Sequence, residues 1–457
     1  TAVPSDAVLV VTSIGYKTAK VPVGNGFVTV VLEEDSELLD EVVMIGYGVQ
    51  KKAVVSAAIS TVGTEMLDKV AAVRVDDALK GLTPGVNVTS NDGQPGSGSS
   101  IRIRGIGTIN DSNPLYVVDG MAINGGIDYL APSDIERIDI LKDAASCAVY
   151  GTRGANGVIL VTTKKGNSGK PKITYNATIG ASMNANFPEF MDGPEFAYYY
   201  NVADMMDKLA SGAIASESDY VPVYTKEQVD MMTNGDPTDG WDNVNYIDKV
   251  FGTGVTQKHN VTVQGGNDQS RYFASFGYLG QKGNIDNYNY DRYNVRANIE
   301  SQLAKNFKFT MGLSGVLSKR HTPGFGTGGS DMGSETGWLS IANQTIQMHP
   351  YLPETYNGYW TASQKKNTGL PQSPLAAIYE SGYKKTRGLD ISANVSLIYD
   401  ASWLKGLQFK VSGSFDYGAS MNKNLNTPFD LMMYSAGSWS QVADPRGKGD
   451  GVNLGEG

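Results

Sequence analysis

The sequence predicts a mainly β protein: a large antiparallel transmembrane β-barrel, present only in part, plugged by a small mixed α/β domain and preceded by the tail of a small β domain. Three observations predict it. The composition is that of a turn-rich β protein, with 54 glycines, 25 tyrosines against 13 phenylalanines, and 19% charged residues. Average usage would give about 32 glycines, and strands favour tyrosine while tight turns take glycine. Residues 170–418 alternate apolar and polar side chains with period two. The connections between those segments are by turns short and long.

The same bulk properties exclude other classes. A net charge of −9 argues against a general nucleic-acid binder. The single cysteine, Cys147, allows no internal disulfide, and its setting among small residues (AASCAVYG) reads as packing. No run of 18 apolar residues exists, so no transmembrane helix is predicted. A barrel carries a weaker signal and stays open. No leader pattern is legible and residue 1 is Thr, so the expectation is a processed or trimmed chain.

Taken in order, residues 1–33 hold two strand patterns, AVLVVTSIGYKTAKVPV and GFVTVVLEED, too few to bury a core. Residues 34–49 form a linker containing DEVVMIGYG, in which Val42, Val43, Met44 and Ile45 make a short apolar strand ended by Gly-Tyr-Gly. Residues 50–169 read as the mixed α/β domain. VRVDDALKGLTPGVNV suggests a short helix with a glycine stop. SIRIRGIG alternates, PLYVVDG is a strand ending in a turn at Asp119 and Gly120, and AASCAVYG is a short helix before GTRGANGVILVTTKKG. The charges on these strands, Arg102, Arg104, Asp119, Glu136, Arg137 and Asp139, have two readings. They are solvated faces, or they belong to a domain that meets the wall of a polar lumen.

Residues 170–457 form the first part of the barrel. Tyr293, Val295, Ala297 and Ile299 share one face opposite Arg292, Asn294, Arg296, Asn298 and Glu300. Leu389 to Tyr399 and Leu407 to Tyr417 repeat the pattern, as does Phe307 to Leu317. Further strands start at Ile173, His259 and Arg271, giving about seven of roughly ten residues each. GGNDQS, LAKN and DASWLKG are short connections, NIDNYNYD is longer, and 182–256 and 320–387 are very long. Sorting loops by length is the habit of outer-membrane barrels, with short periplasmic turns and long outside loops. Barrels of ~22 strands are wide enough to take a folded plug.

Enzyme readings find no support. The three histidines, His259 in a strand, His321 at a loop start and His349 in a loop, lack metal-ligand spacing. Gly151, Gly154 and Gly157 in GTRGANG do not make GxGxxG, and no G-x-S-x-G elbow occurs. No catalytic residue, metal or cofactor is predicted.

The runs YGTRGANGVILVTTKKG (Tyr150–Gly166), PLYVVDG (Pro114–Gly120) and TQKHNVTVQGG…RYFASFGYLGQKG (Thr256–Gly283) resemble SusC-like (SusC/RagA family) TonB-dependent outer-membrane transporters of Bacteroidetes, over nearly the whole chain to about residue 420. The resemblance implies that residues 1–33 end a carboxypeptidase-regulatory-like β-sandwich and that 50–169 is the plug. Its motif residues would be Arg102, Arg104, Gly105, Asp119, Gly120, Tyr150, Gly151, Gly154 and Gly157. It implies a TonB box at Asp40, Glu41, Val42, Val43, Met44 and Ile45, presented to the periplasm and pairing with an edge strand of TonB through main-chain hydrogen bonds. The plainer reading of that stretch is a strand of the adjoining sandwich or plug.

The resemblance further implies residence in the bacterial outer membrane, in contact with its lipid, and a SusD-like surface lipoprotein as partner. The implied activity is active import of a large ligand, an oligosaccharide or else an oligopeptide. Tyr288, Tyr290, Trp338 and Trp360 are candidate ligand contacts, each with an alternative structural role in an aromatic girdle. A passive porin or a surface glycan-binding barrel is the alternative function. Fewer than 300 residues follow residue 170, whereas ~22 strands use ~220 residues in strands alone. The expectation is therefore a fragment of a longer transporter.

Overall fold

The computed structural model describes residues 8–11, 19–22, 30, 42–45, 48–51, 59–69, 74–90, 93–105, 107–108, 112–123, 126–127, 130–235, 237–324, 337–364, 370–404, 406–435 and 438–443. The chain divides into two units: residues 1–91 with 98–165, and residues 92–97 with 166–457.

In the first unit, β1 (Val8–Val11) pairs antiparallel with β2 (Ala19–Pro22). The second strand pattern expected here, GFVTVVLEED, falls outside the described residues apart from Val30. β3 (Val42–Ile45) pairs antiparallel with β4 (Gly48–Lys51), Val42 opposite Lys51 and Ile45 opposite Gly48, as a two-stranded sheet. Asp40 and Glu41 lie outside the described residues.

The body of this unit is a five-stranded sheet. Its strands are β5 (Ile59–Gly63), β8 (Leu115–Val118), β9 (Met121–Ile123), β10 (Ile135–Leu141) and β11 (Val158–Thr163), in the order β5-β10-β11-β8-β9. Beside it stands the hairpin of β6 (Val86–Ser90) and β7 (Ser99–Ile103). β8 and β11 run parallel, and both are continuous apolar runs, LYVV and VILV, buried along their length. Such a run has no face to give to water, so it sits mid-sheet with a layer on each side. Two clusters provide those layers: Ile138, Ile159 and Val161 with Leu79 and Ile101, and Val117, Leu141, Val158 and Leu160 with Cys147. Cys147 packs as expected, and burial pushes its thiol up.

The predicted strand end at Asp119-Gly120 is a tight turn with positive φ at both residues, 50° and 85°, joining β8 to β9. Positive φ at both central positions is what a hairpin with native twist requires. The Asp119 carboxylate accepts from Thr163 N at 2.9 Å and from Thr163 Oγ1 at 2.7 Å, which ties the turn to β11. Asp139 departs from the solvated-face reading. It is fully buried, 3.1 Å from Arg137 and accepting from Thr61 Oγ1 at 2.7 Å. An inward carboxylate is retained because both partners are on the same sheet face.

The second unit is built on a seven-stranded antiparallel sheet. It comprises β12 (Gly169–Ser182), β13 (Gly254–Gly266), β14 (Ser270–Lys282), β15 (Asn289–Ala304), β16 (Phe307–Pro323), β20 (Gly382–Asp400) and β21 (Gln408–Asn426), adjacent in that order. These strands run 13 to 19 residues, longer than the ten expected, because polar residues extend them beyond the apolar band. On β20 the outward residues Leu389 to Tyr399 are apolar, whereas Lys385 and Arg387 before them are not. At about 3.4 Å per residue and a tilt near 45°, that band is roughly 24 Å tall, the height of an outer-membrane barrel's apolar belt. Phe307, Tyr399 and Phe409 close its lower edge as a row of rings 4.6 and 6.4 Å apart.

The inward face is polar, with Asn260, Ser275, Arg292, Asn294, Arg296 and Ser314 all buried. Connections on one side are short: 267–269, 305–306 and 401–407. On the other side 183–253 and 324–381 are long, and 283–288 has six residues. Sequence reading starts the last long connection too early. His321 lies inside β16, opposite Lys385.

The long connections fold. Helix Gly193–Ala210 starts on a capping box between Asp192 and Glu195. Helix Gly337–Gln347 and helix Pro374–Tyr379 join β17 (Thr355–Tyr356), β18 (Tyr359–Gln364), β19 (Pro371–Gln372), β22 (Leu431–Ser435) and β23 (Ser438–Val442), which form a second sheet. Their core is aromatic, with Tyr224, Trp241, Tyr246 and Tyr351 buried together. Most of the Gly-rich stretch before Trp338 falls outside the described residues.

Candidate functional site

The site begins with one turn. Gln94-Pro95-Gly96-Ser97 closes with Ser97 N donating to Gln94 O at 2.9 Å. Gly96 has φ of 70°, so proline at the second position and glycine at the third make a type II turn. Although the chain on either side belongs to the β6–β7 hairpin, these residues cluster with the second unit.

Three strands hold the turn. Gln281 on β14, Tyr290 on β15 and Arg320 on β16 are direct cross-strand neighbours in one row. Gly96 N donates to Gln281 Oε1 at 3.0 Å, and Gly96 O accepts from Arg320 Nη2. The Arg320 guanidinium lies 5.9 Å from the Tyr290 ring centre, a cation–π distance. A Cβ on Gly96 would stand 2.4 Å from Tyr290 Cδ2, so the backbone approaches the ring as only glycine allows.

Next to the turn is a cavity of about 290 Å³ at the long-connection end of β12, β13 and β14. Gln94 and Pro95 form one wall, and Phe251, Tyr288 and Trp338 form the apolar part. Asn184, Gln281, Lys282 and Asn284 supply polar groups. Asn284 Nδ2 donates to Asn184 Oδ1 at 3.1 Å, and Lys282 pairs with Asp286 at 3.2 Å. Apolar walls with a few converging polar groups make a ligand pocket of moderate size.

The four aromatic candidates fall into three places. Tyr288 is 3% exposed and meets the cavity as part of its wall, together with the half-buried Trp338. Tyr290 seats the turn. Trp360 lies elsewhere, on β18, donating to Glu380 Oε1 at 3.3 Å and stacked 5.8 Å from Tyr379. Of the motif residues in the first unit, Arg104, Gly105, Asp119, Gly120, Gly151 and Gly157 all have positive φ. Gly154 has no room for a Cβ beside the Cys147 carbonyl, 2.9 Å away, and Arg102 donates to Asn113 Oδ1 at 2.7 Å. Tyr150 packs beside Cys147. These are residues of backbone shape. Among the described residues no group of His, Cys, Asp and Glu has metal-site geometry.

Gln281, Arg320 and Gly96 are not among the sequence candidates. The Pro-Gly pair at 95–96 signals a turn. That Gln281, Tyr290 and Arg320 share a row follows only once the register of three strands is known.

Residues 51–158 match the TonB-dependent Receptor Plug Domain family. Over 452 residues the chain is 30% identical to the TonB-dependent receptor SusC of Bacteroides thetaiotaomicron, covering 93% of this chain and 41% of SusC. A TonB-dependent receptor of Formosa agariphila is 34% identical over 416 residues, covering 90% of this chain and 37% of that one. Among solved structures, the RagAB peptide importer in its open-open state superposes with a TM-score of 0.65 at 26% identity, covering 84% of this chain and 43% of that chain. The chain thus spans about two fifths of the length of these relatives. A plug-family segment followed by strands with an outward apolar band and an inward polar face, at these identities, makes the chain a SusC-like member of the TonB-dependent receptors of the outer membrane.

Proposed function

We propose that the protein takes part in TonB-dependent active import of a large nutrient ligand across the outer membrane. The observation that carries this reading is the chain order. A short strand that among the described residues pairs with one neighbour, β3 on β4, precedes the plug-family segment 51–158, and membrane-type strands follow from Gly169. A two-stranded pair is marginal in water. β3 therefore has an edge to offer to another protein's sheet at little cost, and pairing through the main chain tolerates many side chains. In this reading residues 1–33 end a sandwich, 34–49 link it to the plug at 50–169, and 170–457 open the barrel. TonB, driven by the inner-membrane proton gradient, pulls on Asp40–Ile45. The plug rearranges and ligand passes.

An oligosaccharide is the favoured cargo. Flat apolar surface from Tyr288 and Trp338 beside the amides of Asn184 and Asn284 suits a hydroxyl-rich ring with apolar faces. An oligopeptide is the second reading, favoured by the likeness to a structure described as a peptide importer. A SusD-like lipoprotein is the proposed surface partner. Tyr198 and Tyr199, exposed on helix Gly193–Ala210 with their rings 5.2 Å apart, offer it apolar surface.

The test is uptake by cells carrying the full-length protein, using oligosaccharides and oligopeptides in parallel. Deleting Asp40–Ile45 is expected to abolish energised uptake and leave surface binding and membrane level intact. Val43→Pro, which removes a main-chain donor, is expected to do the same, while Val43→Ala changes little. Unchanged uptake in the deletion would overturn the reading in favour of a passive pore.

A further inference from the structure

Above the apolar band the outward face of the sheet turns basic. Lys319 on β16 is directly opposite Arg387 on β20, in the row next to Leu317 and Leu389. One row further out, Lys385 on β20 is opposite Lys423 on β21 and also opposite His321. Lys319, Lys385, Arg387 and Lys423 are all exposed. Among the described residues none of the four is in an ion pair. The carboxylate beside Lys319 in the register, Asp291, accepts from Tyr278 Oη at 2.8 Å instead. Two like-charged pairs set directly opposite each other destabilise a sheet unless something neutralises them.

Two tyrosines sit among these cations. Tyr383 has Lys385 Nζ at 4.3 Å and Lys423 Nζ at 5.8 Å from its ring centre, and Tyr293 has Lys319 Nζ at 5.5 Å. The rings steady the flexible ammonium stems in one neighbourhood. Height decides what the patch faces. The two basic rows stand two and four residues beyond Leu317 and Leu389, about 5 and 10 Å along the membrane normal at a 45° tilt. The polar layer of a bilayer begins where the hydrocarbon stops and is about 5–7 Å deep on each side, so the first row stands within it and the second just above it, from where the long lysine stems bend back to headgroup level. The rows lie at the end of the sheet that carries the long connections, the outer-leaflet side.

We propose that Lys319, Lys385, Arg387 and Lys423 form a binding site for the phosphate-bearing headgroup of an anionic lipid in the outer leaflet. The lipid's chains lie on the band below, and its phosphate oxygens bridge the opposed cations across β16, β20 and β21. Basic groups at headgroup height attract anionic lipid by about fivefold each, and charge-assisted bonds to phosphate add direction. The site does not depend on the transport reading.

The experiment uses the full-length protein in detergent, titrated with phosphatidylglycerol and read by native mass spectrometry. Phosphatidylcholine and inorganic phosphate are parallel arms. The wild type is expected to retain phosphatidylglycerol, and the variant K319Q/K385Q/R387Q/K423Q to bind it at least tenfold more weakly. K384Q/K410Q, which neutralises two cations of the opposite face, is expected to bind as the wild type does. Equal retention by wild type and quadruple variant overturns the proposal, as does equal loss in the control. Inorganic phosphate binding as well as the lipid also overturns it. If the quadruple variant does not fold, K319Q/R387Q and K385Q/K423Q are read separately. Each is expected to lose part of the affinity, and no loss in both overturns the site.

Discussion

The two main sheets solve opposite solvent problems with the same backbone. In the first unit β8 and β11 are apolar on successive residues and buried on both faces. In the second unit β15 alternates, with Arg292, Asn294 and Arg296 buried and Tyr293, Val295, Ala297 and Ile299 on the other face. The first excludes water from both sides of the sheet. The second has its apolar side outermost and its polar side buried, the reverse of a soluble sandwich. Period separates them: VILV is apolar at successive residues, whereas YNVRANI (residues 293–299) alternates apolar with polar.

One substitution placed in both sheets tests this contrast. Ile138, fully buried in the first unit, changed to Arg leaves a charge with no water and no partner. The expected loss exceeds about 4 kcal/mol, seen as absence of a protease-resistant first unit. Val295→Arg, on the outward band one row inside Leu317 and Leu389 and 50% exposed, is expected to cost about 1–3 kcal/mol, but only in a bilayer. In urea titrations of the full-length protein, Val295→Arg should lower the midpoint in lipid vesicles. A water-facing sheet would tolerate it, so an unshifted midpoint removes the membrane reading of that face.

The turn at 94–97 sharpens the comparison, since it leaves a hairpin of one unit and clusters with the other. Gly96→Ala meets two costs, a positive φ of about 1–2 kcal/mol and overlap with the Tyr290 ring. Hydrogen exchange at residues 93–97 is expected to rise about tenfold or more. The double variant G96A/Y290A removes the overlap and keeps the backbone cost, so its exchange should fall between. If Y290A brings no relief, the ring does not set the position of the turn.

How much of this was legible in the sequence depends on range. Leu389 to Tyr399 shows its faces by period two alone, and so do the other barrel strands, because each residue's side is fixed locally. The strand ends were less legible. The outer ends of β16 and β20 are stabilised by pairing with each other, so polar residues such as His321 and Arg387 continue a strand that composition would stop. Asp139 departs from the solvated-face reading for a related reason: its neighbours Arg137 and Thr61 lie on the same and the adjacent strand, and only the β5–β10 register brings Thr61 opposite it. The aromatic candidates divide likewise. Trp338 and Tyr288 reach one cavity, while Trp360 does not, and nothing near each residue distinguishes them.

The smallest effect expected is a pH dependence confined to the long connections. Tyr224 Oη donates to Tyr351 Oη at 3.0 Å, and Tyr351 Oη lies 2.9 Å from His349 Nδ1. That relay needs a neutral imidazole accepting at Nδ1, and burial pushes His349 from 6.5 down to about 4. The folded value is below the unfolded one. The stabilisation is therefore complete above about pH 6.5 and is lost as pH falls towards 4. At pH 5.5 the loss is on the order of 1 kcal/mol. Trp241 stands 5.5 Å from Tyr351, so its fluorescence reports the cluster. In the full-length protein the urea midpoint of that signal should drop between pH 7.5 and 5.5, and His349→Gln should flatten the dependence. A slope that survives His349→Gln would assign the acid sensitivity to carboxylates and remove the imidazole from the relay.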